Sequence, residues 1–76
     1  MYHTIEFRVP GRARVERQGT AVPVQVSIRQ GARFKARIQP YVLESSLGPV
    51  EVADLFLEDG TAARAVRFAS FHFVDE

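Results

Sequence analysis

The segment Val22-Pro23-Val24-Gln25-Val26-Ser27-Ile28-Arg29-Gln30-Gly31-Ala32-Arg33-Phe34-Lys35-Ala36-Arg37-Ile38-Gln39 decides the fold class. Val22, Val24, Val26 and Ile28 occupy even positions, as do Phe34, Ala36 and Ile38 beyond Gln30-Gly31. Arg29, Arg33, Lys35 and Arg37 occupy odd ones. A period of two puts successive side chains on opposite faces of a strand. Two strands are expected here, each burying its even residues, joined as a hairpin through Gln30-Gly31. A two-residue loop would set Ile28 beside Arg33. An odd-length loop, or a bulge at Gly31, keeps the parity and is the expected connection. Pro23 has no N–H to give a ladder and marks an edge or a strand start.

The alternation extends in both directions. His3, Ile5, Phe7 and Val9 share one face, with Thr4, Glu6 and Arg8 on the other. Pro10-Gly11 reads as a turn, the proline fixing φ and the glycine supplying a positive φ. Residues 12–18 alternate again, Ala13 and Val15 against Arg12, Arg14 and Glu16, until Gly19-Thr20 breaks the run. Pro40 is expected to end its strand, with residues 44–49 as a loop. Residues 50–57 are apolar on both faces, as a central strand is. Asp59-Gly60 is a hairpin turn signal. Residues 61–69 hold four alanines and could start a helix at Thr61. Val66 and Phe68 are nevertheless in strand phase, and a bulge near Ala69-Ser70 would bring Phe71 and Phe73 back into it. A strand is preferred there, with a short helix as the alternative. The chain is thus read as all-β, a single small domain over 1–76. About six short antiparallel strands would form a small barrel or a compact sandwich.

Composition narrows the function. The chain has 76 residues, 46% of them apolar, and no cysteine. A single core of this size rarely supplies more than about 3–5 kcal/mol. The missing cysteines exclude disulfides, thiol catalysis and cysteine-ligated zinc. No basic region followed by an apolar run opens the chain, so a cytoplasmic location is expected. The longest apolar runs, Tyr41–Leu43 and Leu55–Leu57, are far too short to span a membrane as helices.

Catalytic signals are sparse. His3 is in phase with Ile5 and Phe7, which suits a partly buried structural histidine. His72 alternates with Phe71 and Phe73 and should face outward, near Asp75 and Glu76; a solvated chain end is the expected reading rather than a metal site. Ser45-Ser46 lacks the glycine frame of a nucleophile elbow. Asp54, Glu58 and Asp59 surround a hairpin whose turn needs Asp59. No glycine-rich phosphate loop is present. Arg33-x-x-x-Arg37 followed by Ser45-x-x-Gly48 resembles in outline the cyclic-dinucleotide signature of PilZ domains. Leu43 stands where that signature carries Asp or Asn, and the two halves lie too close together, so no family is assigned. Neither an enzyme, a cofactor nor a metal is expected.

Charge patterning is the stronger signal. The net charge of +1 conceals +6 over residues 1–38 and −5 over residues 39–76. Nine of the ten basic residues are arginine, whose planar fork suits carboxylates and phosphates. Arg29, Arg33, Lys35 and Arg37 are expected on the outward face of one hairpin, with Tyr41 in the same parity. The expected function is a non-enzymatic interaction module. Its basic face, 29–37, would dock an acidic protein surface or a second copy of the chain. Nucleic-acid binding by the same face is the alternative, weakened by Phe34 pointing inward. The competing expectation is that the two charge blocks pair with each other across strands.

Overall fold

The computed structural model describes residues 1–17, 19 and 22–74. Seven strands follow in order: β1 (His3–Phe7), β2 (Gly11–Glu16), β3 (Val24–Ile28), β4 (Arg33–Ser45), β5 (Gly48–Leu57), β6 (Ala62–Arg67) and β7 (Phe71–Phe73). One 3-10 turn, Phe68–Ser70, separates β6 from β7. All pairings are antiparallel, in a single sheet ordered β3-β2-β6-β5-β4-β1-β7. The all-β expectation holds. The sheet curls into a half-barrel with two free edges, β3 and β7, instead of closing. Its radius of gyration is 12.2 Å, against about 11 Å for a compact chain of this length.

The deciding segment does form two strands, but they are not a hairpin. β3 pairs with β2, and β4 pairs with β5 and β1. The loop-parity argument therefore does not apply. After Ile28 the chain crosses to the far side of the sheet and is fastened to the end of β1. Gly31 donates its N–H to the Phe7 carbonyl at 2.8 Å, and Phe7 donates to Ala32 at 2.9 Å. Gly31 has φ +86°, a conformation open to glycine and strained for most other residues. Pro10-Gly11 is likewise a crossing and not a hairpin turn; Gly11 opens β2 without a positive φ.

Pro40 does not end its strand. β4 runs to Ser45, and Pro40 lies opposite Ala53 of β5. β1 pairs with β4 only over residues 33–36, so by Pro40 that side of β4 is already an edge, where proline is tolerated. Residues 44–49 are the end of a two-stranded ribbon and not a loop. The Ser45 hydroxyl donates to the Gly48 carbonyl at 2.6 Å and accepts from the Leu47 N–H at 3.3 Å, which closes the ribbon tightly. The Ser45-x-x-Gly48 spacing is thereby explained by turn geometry.

Three other expectations stand. β5 is the middle strand, with Val52, Ala53 and Leu55 all buried. Asp59-Gly60 makes its hairpin, Leu57 donating to the Thr61 carbonyl at 2.8 Å. Residues 62–67 are strand, so helix in this region is confined to the 3-10 turn. That turn, rather than a bulge, resets the parity of Phe71 and Phe73. It also carries the chain from β6 to β1's free side.

The core is Ile5, Phe7, Ala13, Ala36, Ala53, Leu55, Ala63, Val66 and Phe71. Phe7, Phe34, Phe68 and Phe71 meet edge-on or tilted, with centroids 5.3–6.0 Å apart. Such pairs add about 0.5–1.5 kcal/mol beyond area burial. His3 joins this group at its rim, its ring edge-on to Phe73 at 5.4 Å. The expected burial of β3 is the main error of sequence reading. Val22, Val24 and Val26 remain 68%, 57% and 37% exposed, and only Ile28 packs on the core. A single sheet has no second layer to cover an edge strand's apolar face. Val9 is also exposed, because β1 ends at Phe7.

Phe7 is 1% exposed and touches both Phe34 and Phe71. Phe7→Ala should cost about 3–5 kcal/mol, which rivals the whole stability of so small a core. Urea titration followed by circular dichroism should find the variant largely unfolded without denaturant.

Candidate binding face

The outer face of the half-barrel carries the charged residues. On β4, Arg33, Lys35 and Arg37 alternate with inward Phe34, Ala36 and Ile38, as the period-two reading requires. Tyr41 lies further along the same row. Arg29 does not belong to that row: it follows β3, at the start of the crossing, and the 29–37 hairpin face does not exist as such. On β2, Arg12, Arg14 and Glu16 face outward, opposite Ser27, Gln25 and the β6 strand.

Between these two rows stands a cluster that the sequence did not disclose. Val52 pairs with Arg67 and Ala53 with Val66, then the register shifts before Leu55 meets Ala63. The irregularity leaves Asp54 facing Arg64 and Ala65. Asp54 Oδ1 accepts from the Ala65 N–H at 2.9 Å and from the Tyr41 hydroxyl at 2.9 Å. Its Oδ2 accepts from Arg64 Nη1 at 3.0 Å. Arg64 also donates Nε to Glu16 Oε1 at 2.5 Å, so one guanidinium bridges β2, β6 and β5. Both Arg64 and Arg37 sit over the Phe56 ring, at 5.3 Å and 5.2 Å from its centroid. Such cation–π contacts are worth about 0.5–1 kcal/mol at exposed sites.

The electrostatics follow from this geometry. Burial pushes the Asp54 carboxyl up, but the Ala65 N–H, the Tyr41 hydroxyl and Arg64 together outweigh it and hold it below the ordinary carboxylate value. Burial and the Asp54 carboxylate push the Tyr41 hydroxyl up. The Glu16 and Asp54 carboxylates raise Arg64 further above its already high value. At the β5–β6 turn, the Thr61 hydroxyl and then its N–H, bonded to Asp59 at 2.9 Å, lower that carboxyl as well.

Among the described residues the two charge blocks meet across strands at Arg64 with Glu16, but Arg12, Arg14, Lys35 and Arg37 face no acidic residue. Lys35 faces Thr4, Arg37 faces Phe56, Arg12 faces Ser27, and Arg14 lies between Gln25 and Arg64. Arg33 pairs with Glu6 at 2.7 Å, and Arg64 pairs with Glu16 and Asp54. His72 lies 3.7 Å from Glu6 on the outer face, as its parity implied. Asp75 and Glu76, the other members of the weighed metal site, lie outside the described residues. Among the described residues no three His, Asp or Glu side chains converge as a metal site, and no helix is long and apolar enough to cross a membrane. Among them, Arg12, Arg14, Lys35 and Arg37 have no carboxylate partner.

Of the residues singled out from sequence, Lys35, Arg37 and Tyr41 border the cluster, while Arg33 is committed to Glu6. Arg12 and Arg14 were visible as an alternating pair. Phe56 was obscured by sharing parity with Val50 and Val52, and Arg64 could be placed only by strand order. No family model, no curated protein and no solved structure matches the chain.

Two measurements probe the cluster. Because the folded-state pKa of Asp54 is depressed, its contribution is present above the unfolded value of about 4 and disappears as pH falls through the folded value. Thermal unfolding should therefore lose stability below about pH 4, and Asp54→Asn should flatten that loss while lowering stability at neutral pH. Ala65 has φ +53°, a left-handed conformation that strains an L side chain by about 1–2 kcal/mol. Ala65→Gly should raise the midpoint of urea denaturation, a gain of up to about 1 kcal/mol after the extra chain entropy of glycine.

Proposed function

We propose that the chain is a cytoplasmic, non-enzymatic interaction module whose outer face docks an acidic protein surface through Arg12, Arg14, Lys35 and Arg37. The observation that carries this reading is that these four cations have no carboxylate partner among the described residues, while neighbouring Arg33 and Arg64 do. Arg64 is fixed by Glu16 and Asp54, and with Phe56 it gives the face a semi-rigid centre. Arg37, held over that ring, keeps its outer N–H groups for a bidentate carboxylate contact. A preorganised guanidinium loses less side-chain entropy on binding than a free one.

Nucleic acid is the second reading. What favours it is Phe56, an aromatic ring set among basic side chains, which the sequence had seemed to lack. Against it, the ring already carries two guanidiniums, and the Tyr41 hydroxyl is tied to Asp54. Neither aromatic is an open platform for stacking a base.

Fluorescence anisotropy with a labelled poly-glutamate peptide and a labelled single-stranded oligonucleotide separates the readings. Poly-glutamate should bind at low salt and weaken as salt rises. The Lys35→Glu, Arg37→Glu variant should lose about tenfold in affinity, or about 1.4 kcal/mol. Tighter binding of the oligonucleotide, with a salt slope reduced in the same variant, would move the assignment to nucleic acid. Absence of binding to either probe would remove the basic face as a docking site.

A further inference from the structure

We infer that β3 is a self-association edge, and that a second copy of the chain adds its own β3 antiparallel to it, joining two half-barrels into one continuous sheet. This inference rests on the sheet edge and not on the basic face.

The first observation is that β3 is unguarded. Exposed edge strands are normally blunted by charges, bulges or shortness. β7 obeys that rule, being three residues long. β3 does not: from Val22 to Ile28 there is no charged residue. Among the described residues, β2 is its only strand partner. Pro23 precedes the strand and leaves Val24–Ile28 with every N–H intact.

The second observation is the apolar surface beside that edge. Val22, Val24 and Val26 are exposed, and with Val15 and the stem of Arg17 they line a shallow groove. Val15, Arg17 and Val26 also border the mouth of the half-barrel, where Ile28, Phe34, Leu55 and Leu57 lie deeper. An incoming strand would continue this concave lining.

Self-complementarity selects the occupant. If the two-fold axis stands perpendicular to the sheet, both copies keep their even residues on the concave side, so paired residues must share parity. The register centred on Val26 uses the whole strand. Val24 meets Ile28, Gln25 meets Ser27, and Val26 meets Val26 of the partner copy. Valines then cover valines on the concave side, and neutral polar residues meet on the convex side. No like charges oppose each other within the junction. Arg17 and Arg29 lie beyond the ends of β2 and β3, and Arg12 and Arg14 stand on β2, so the two copies' β2 rows are three strand spacings apart, about 14 Å. That exceeds the screening length of about 8 Å at physiological salt. The contact is small against the roughly 800 Å² per partner of a standard stable interface, so a weak, concentration-dependent dimer is expected. Its salt dependence separates it from docking between opposite charges. Apolar strand pairing flanked by two basic rows should hold or strengthen as salt rises, whereas charge docking should dissolve.

The lack of cysteine in the native chain gives a clean test. Opposed residues in an antiparallel pair have Cα atoms about 4.5–5.5 Å apart, within disulfide range. Val26→Cys should therefore form a covalent dimer on mild oxidation, while Ser46→Cys at the exposed tip of the β4–β5 ribbon should crosslink at least tenfold more slowly. Sedimentation velocity of the unmodified chain should show mass rising from monomer towards dimer with concentration, undiminished at high salt. Gln25→Lys with Ser27→Lys places cations opposite each other at exposed positions, and should weaken association at least tenfold with an unchanged circular dichroism spectrum. Should that pair disturb folding, Val24→Lys, at a more than half-exposed residue, sets a cation against the apolar Ile28 of the partner copy and should weaken association in the same direction. A monomer at every concentration, equal crosslinking of the two cysteine variants, or a dimer that dissociates with salt would overturn the inference. Loss of poly-glutamate binding with dimerisation intact would overturn only the docking reading.

Discussion

A single sheet must supply both walls of its own core, and the curl at the β5–β6 junction is what makes that feasible here. Strands lying flat would leave Ile5, Phe7, Leu55 and Phe71 facing water. The register shift at Asp54 and the left-handed Ala65 bend the middle of the sheet, because an extra residue on one strand raises the local twist. Asp54 holds the bend by accepting from the Ala65 N–H, and the same carboxylate gathers Tyr41 and Arg64. The device that closes the core thus also organises the outer face. Strain at Ala65 is offset by hydrogen bonds that exist only in the bent arrangement.

The curl stops short of closure, and the chemistry of the two edges follows from that. β7 is short and lies beside Glu6 and His72 on the convex side. β3 is longer, neutral and apolar. The two surfaces with binding potential are therefore of different kinds: a convex face rich in unpaired cations, and a neutral edge suited to strand addition. Docking through the first would weaken with salt, whereas strand addition at the second would not. The near-neutral net charge is a cancellation that neither surface experiences locally.

Strand positions were legible wherever period-two alternation was strong, because one face of each strand had to be apolar. Residues 3–7, 12–16, 24–28 and 33–39 all appear as strands, those other than 24–28 with the expected inward and outward sets, and Asp59-Gly60 turns as its chemistry requires. What failed was inference from neighbours in sequence to neighbours in space. Gln30-Gly31 and Pro10-Gly11 resemble hairpin turns, yet both are crossings, the first fastened to Phe7 through backbone hydrogen bonds. Pro40 resembles a strand end, yet it is harmless on a side of β4 that β1 has already left. Of the candidate site, Lys35, Arg37 and Tyr41 could be found by parity, while Arg29 was grouped with them only through a hairpin that does not form.

Local pattern determined the all-β class, the inward and outward sets of most strands, the absence of thiol chemistry and the outward row on β4. These properties depend on one strand at a time, on pleat geometry and side-chain type. Strand order, the half-barrel, the exposure of Val22, Val24 and Val26, and the meeting of Arg64, Asp54, Phe56 and Arg37 were decided by tertiary structure. They depend on which strands pair, and that choice is made by the collective burial of one sheet face rather than by any single segment.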